Sequence, residues 1–175
     1  AWWRNPDLDF GSLSRLLRSL DAQPGVPELR RKRDADDHMA LMAMARAPDI
    51  ERLASSPAAL RLLWQVAQVP DFRKTISEAH ASLLARLFRH LAGPSGRLPD
   101  DWVAAQLARL DRADGDIDSL MQRIAHVRTW TYIAHREDWM ADPRHWQERA
   151  RTIEDKRSEE HTSELQSHHD LVCRL

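Results

Sequence analysis

Four consecutive basic side chains, Arg30-Arg31-Lys32-Arg33, form the densest charge in the chain and are the first candidates for chemistry. Each Lys or Arg laid on a phosphate releases a counterion, so such a run supplies sequence-independent affinity for nucleic acid. Asp34, Asp36 and Asp37 follow at once. They weigh towards a solvated linker running into an acid-capped helix, with phosphate contact as the alternative. Seven Trp against three Phe and one Tyr offer a second chemistry, because indole and guanidinium groups together can build base-stacking platforms. Trp64, Trp102 and Trp130 nevertheless fall in helical apolar patterns and are expected in the core. Trp2 and Trp3 are expected to pack against protein outside this chain.

Catalytic constellations are missing from the sequence. It has no glycine-rich phosphate loop ending in Gly-Lys-Ser/Thr, no DExH-type acidic box, no Gly-x-Ser-x-Gly and no His-Glu-x-x-His. His38, His80, His90, His126, His135 and His145 are scattered, and the ten-residue step from His80 to His90 does not make them neighbours on a helix face. Neither a catalytic residue nor a metal ligand is therefore expected.

The elements that must position these residues read as all-α, a bundle or array of about seven to eight helices. Leu13, Leu16, Leu17 and Leu20 form one helical stripe, stopped by Gln23-Pro24-Gly25-Val26-Pro27. Asp34 or Asp36 can cap a Met- and Ala-rich helix near residues 35–47, and Pro48-Asp49 opens a short one. Ser56-Pro57 is a strong start signal ahead of Leu60, Leu63, Trp64 and Ala67. Ser77-Glu78 begins a helix carrying Leu84, Leu87, Phe88 and Leu91, which Gly93-Pro94 ends. Another starts at Pro99-Asp100-Asp101 with Trp102, Val103, Leu107 and Leu110. After Asp114-Gly115-Asp116, a long helix to about His135 shows Ile117, Leu120, Ile124, Val127 and Thr131 on a near-heptad face. Asp142-Pro143 starts the last, with Trp146, Ala150 and Ile153. Short Pro-bounded loops predict antiparallel neighbours. The expected divisions are 1–33, an amino-terminal helix and basic linker; 34–112, a central bundle; 113–156, a helical hairpin; and 157–175, a tail.

At 175 residues the chain is long enough to bury a core without disulfides or a structural metal. Its one cysteine, Cys173, cannot pair internally. No apolar run of membrane-spanning length and no signal-peptide layout occurs, so a cytoplasmic protein is expected. From Arg157 the texture changes: Arg-Ser-Glu-Glu-His-Thr-Ser-Glu-Leu-Gln-Ser-His and then Asp-Leu-Val-Cys-Arg-Leu, with no helical apolar period. This segment resembles a translated sequencing-library adapter, with His168-His169 read from its index, and is expected to be non-native and without structure of its own. It holds two basic and four acidic residues, so without it the formal charge of -1 becomes +1. Residues 1–156 are accordingly expected to be an internal piece of a longer protein.

Arg128-Thr129-Trp130-Thr131-Tyr132-Ile133-Ala134-His135-Arg136, followed by an acidic link and Pro143, carries a resemblance. It resembles the carboxy-terminal helical element of the mitochondrial-degradosome type of DExH-box RNA helicases, in superfamily two. The family pattern is aromatic, any, aromatic, aliphatic, small, aromatic, Arg. Trp130, Tyr132, Ile133, Ala134, His135 and Arg136 follow it, with Trp and Tyr exchanged and His135 in place of the third aromatic. The stretches Leu63–Lys74 and Asp114–Asp118 are similar to the alphaproteobacterial branch. The resemblance implies a parent enzyme that uses ATP and Mg2+ to translocate along single-stranded RNA, or alternatively DNA. It implies RecA-like motor domains upstream, a helical region that braces them and helps close the strand channel, and an exoribonuclease partner. No motor motif lies in this chain, so no catalytic residue carries over. The competing reading is a stand-alone helical protein–protein interaction domain without enzymatic activity.

Overall fold

The computed structural model describes residues 1–32, 35–74, 77–112 and 116–173. Among these it has eight α-helices and one minimal sheet: β1 (Trp2–Trp3), α1 (Leu13–Leu20), β2 (Arg30–Arg31), α2 (Asp36–Ala45), α3 (Pro48–Leu53), α4 (Pro57–Ala67), α5 (Ser77–Leu91), α6 (Asp100–Leu110), α7 (Ile117–Ala134) and α8 (Pro143–Cys173), with a 3-10 turn at Glu137–Trp139. The all-α expectation is met. The chain forms two compact units, residues 1–70 with 76–96, and residues 71–75 with 97–175. α6, which the sequence grouped with the central bundle, thus shares a unit with α7 and α8.

In the first unit α2 packs on α4 and α5, and α3 packs on α5. Leu16, Leu41, Met44, Ile50, Leu60, Leu63, Leu84, Leu87 and Phe88 are removed from solvent. Leu16, Leu60, Leu63, Leu84, Leu87 and Phe88 belong to the helical stripes, while Leu41, Met44 and Ile50 add to them, and this burial is what holds the short helices, since helices of this length are marginal alone. Ser12 Oγ accepts the Arg15 N–H at 3.1 Å and Ser56 Oγ accepts the Ala59 N–H at 3.1 Å, so each caps its helix. α2 starts differently. Its cap position is Ala35, without a side-chain bond, while Asp36 and Asp37 sit in the first turn and face the positive end of the helix dipole. Asp34 lies outside the described residues.

In the second unit α7 and α8 run antiparallel. Gln147 Nε2 donates to the Ala134 carbonyl at 3.1 Å, and further along Thr131 Oγ1 donates to Glu154 Oε2 at 3.3 Å. α6 packs against α7, and Val103, Leu107, Val127, Trp130, Ile133, Trp139, Ala150 and Ile153 form the core. Asp116 caps α7 by accepting the Ser119 N–H at 2.9 Å. Asp142 does the same for α8, accepting from His145 N–H at 3.3 Å.

Two further findings depart from the expectations. The first is the parallel pairing of β1 with β2, which no alternating pattern announces. The second is that residues 157–173 extend α8 instead of lacking structure. The segment contains Glu, Gln, Leu and Arg, all good helix formers, but offers no apolar face. Leu165, Leu171 and Val172 are exposed accordingly. Arg157 is the exception, fully buried, with its guanidinium donating to the Arg112 carbonyl at 2.7 Å and to Glu160 at 2.6 Å.

Candidate nucleic-acid interface

The basic run is divided by the pleat of the small sheet. β1 and β2 pair in parallel with Trp2 opposite Arg30 and Trp3 opposite Arg31. The Arg30 N–H donates to the Ala1 carbonyl at 2.9 Å and the Lys32 N–H to the Trp3 carbonyl at 2.8 Å. Side chains alternate across a strand, so Trp2 and Arg30 share one face and Trp3 and Arg31 the other. On the outer face Trp2 is 73% exposed, and Arg30 and Lys32 are exposed with it. On the inner face Trp3 is half-buried, and Arg31 Nη1 donates to Asp21 Oδ1 at 2.6 Å. Arg31 therefore anchors the strand to the end of α1. Arg33 lies outside the described residues.

Asp37, one of the acids that follow the run, is engaged elsewhere. Asp37 Oδ1 accepts Arg4 Nη2 at 2.7 Å and the His38 N–H, and Arg4 in turn lies over the Trp64 ring at 5.0 Å. Among the described residues neither Arg30 nor Lys32 has an ion-pair partner.

A groove of about 720 Å³ opens elsewhere in the first unit, walled by Pro6, Leu8, Phe10, Pro57, Arg15 and Arg61. Arg61 stacks over Phe10 at 5.0 Å, and Arg15 Nε donates to Asp9 Oδ2 at 2.8 Å. A Cβ at position 11 would meet Arg15 Nη1 at 2.7 Å, so Gly11 makes room for that guanidinium. The Gly11 N–H, and then Arg15, hold the Asp9 carboxyl below the usual carboxylate range. The carboxylates of Asp9 and Asp7 balance the two arginines in this groove, which therefore has little net attraction for an anion.

The motif of α7 is resolved by helical period. Trp130, Ile133 and Ala134 are buried at i, i+3 and i+4, while Tyr132 is 37% exposed and His135 faces solvent with Nδ1 2.7 Å from the Thr131 carbonyl oxygen. Arg136 lies over the Trp139 ring at 4.9 Å. Trp130 meets Trp102 edge-on, with ring centroids 5.5 Å apart and planes at 61°. Trp64 and Trp130 are buried and Trp102 half-buried, in line with their apolar stripes. The sequence reading did not single out Trp139, which fills the core from the 3-10 turn and whose carbonyl accepts the Leu98 N–H at 2.8 Å. A turn this short has no periodicity to reveal it.

His80 Nε2 lies 2.9 Å from the Val69 carbonyl oxygen, and burial, with the charge of Arg86, holds the His90 imidazole below its ordinary value. Among the described residues no group of three His, Cys, Asp or Glu side chains could hold a metal ion. No helix among them is long and apolar enough to cross a membrane. No protein-family model, curated protein or solved structure matches the chain.

Proposed function

We propose that the chain is the accessory helical region of an ATP-dependent RNA helicase, bracing the motor and contributing to the channel for the single strand. The observation that carries this reading is the register of the α7 motif. Trp130, Ile133 and Ala134 point into the α6–α7–α8 core, and Arg136 locks the following turn over Trp139, as a rigid bracing hairpin requires. Arg30 and Lys32, exposed and without an ion-pair partner among the described residues, supply the contact to the strand. ATP and Mg2+ do not fit the residues of this chain, which has neither a phosphate loop nor, among its described residues, a metal-holding group. They belong to RecA-like motor domains of the parent chain, as does the link to an exoribonuclease, in a cytoplasmic enzyme. The test is anisotropy of labelled oligo(U) against salt: binding at low salt that weakens steeply as salt rises is expected, and no binding at the lowest salt contradicts strand contact.

A second reading has one observation in its favour. After its first turn α2 has only Met, Ala and Leu, so Met39 and Met42 stand 51% and 43% exposed opposite buried Leu41 and Met44. Helices of that kind are ordinarily covered on all sides. A helical protein-interaction domain without a motor would use this face.

A further inference from the structure

We propose that Trp2, Arg30 and Lys32 form a stacking foothold for single-stranded nucleic acid, in which the indole takes one base and the two cations take the flanking phosphates. The inference rests on the strand-contact part of the function proposed above, and adds the aromatic partner and the geometry. An indole exposed to 73% on a two-residue strand is costly to leave in water unless something covers it. Two cations stand beside it. Register places Arg30 directly opposite Trp2, and Lys32 follows two residues on, about 6.6 Å further along an extended chain. Among the described residues neither cation is paired.

Strand pairing and one ion pair position the foothold. The backbone bonds from Arg30 to Ala1 and from Lys32 to Trp3 fix the two strands, and the Arg31–Asp21 ion pair ties the far face to α1. The cations are therefore held beside the indole, ready for a ligand that is flat and apolar in one part and anionic in the next. A single nucleic-acid strand has that alternation at every nucleotide, and base stacking on an aromatic tolerates any sequence. An apolar protein helix would match Trp2 but leave Arg30 and Lys32 without partners.

The test uses the whole chain and labelled oligo(U), read by anisotropy over a salt series and by quenching of tryptophan fluorescence. Trp2→Ala is expected to weaken binding about tenfold and remove most of the quenching, while Trp2→Phe recovers part of the affinity. Arg30→Gln with Lys32→Gln is expected to flatten the log K against log salt slope by about 0.7 for each side chain. Arg52→Gln, at an exposed position of α3, serves as the charge control and leaves the slope unchanged. Circular dichroism of each variant separates loss of fold from loss of contact. Binding by the wild type with affinity and slope untouched in the Trp2 and Arg30/Lys32 variants overturns the foothold and leaves the helicase reading standing. No binding of oligo(U) by the wild type at low salt overturns both and leaves the face to a protein partner.

Discussion

Arg31 shows how one residue in a charge run acquires a role different from its neighbours. Its guanidinium is spent on Asp21, which leaves Arg30 and Lys32 as the cations able to meet a phosphate among the described residues of the run. Asp49 and Arg89 form a comparable anchor between α3 and α5: Arg89 Nη2 donates to Asp49 Oδ1 at 3.1 Å, and Nε bonds the second oxygen. The hydrogen bonds from Arg89, and then its charge, hold the Asp49 carboxyl below the usual range. Because the native value is depressed, the contribution of this pair is present above the ordinary aspartate range and is lost as pH falls through the native value. Asp49→Asn should therefore flatten the acid limb of a melting-temperature profile and leave its neutral plateau shape unchanged; an unaltered acid limb would show that the pair contributes nothing measurable.

Elements formed where local signals and burial agreed. Ser56-Pro57 was legible because the serine oxygen and the proline ring each solve a problem of the helix start, and α4 begins there. Ser56→Ala should cost about 1 kcal/mol in urea unfolding, with no change in m-value. The α7 motif was legible as a buried stripe, and substitution separates its two faces. Trp130→Ala should destabilise the second unit by about 3–5 kcal/mol, whereas Tyr132→Ala at a partly exposed site should remain within about 0.5 kcal/mol. Equal losses at the two positions would contradict the assigned register. Three features were not legible, each for a physical reason. β1 and β2 are two residues long and joined across the length of α1, so neither has room for an alternating pattern. Trp139 sits in a single 3-10 turn. Residues 157–173 continue a helix already nucleated by the packed turns of 143–156 and add no packed stripe, so apolar periodicity, which detects packing, does not find them.

At the scale of the whole molecule the chain comprises two units with different assignments. The first carries the small sheet with its outward cations and the exposed methionines of α2, and the second carries the tryptophan-rich hairpin of the motif. Neither contains the parts of a motor, and the charge balance of residues 1–156 is close to neutral, so strand contact has to come from a local patch and not from a global field. The proposed role, a region that supports and guides a motor carried elsewhere in the parent chain, places the phosphate loop and DExH box outside this sequence. The most direct test of that claim is long-read sequencing of the DNA around the gene. The account predicts that the reading frame continues upstream of Ala1 into a glycine-rich phosphate loop and a DExH box; a start codon within a few codons of Ala1, with no motor sequence in frame, would contradict it.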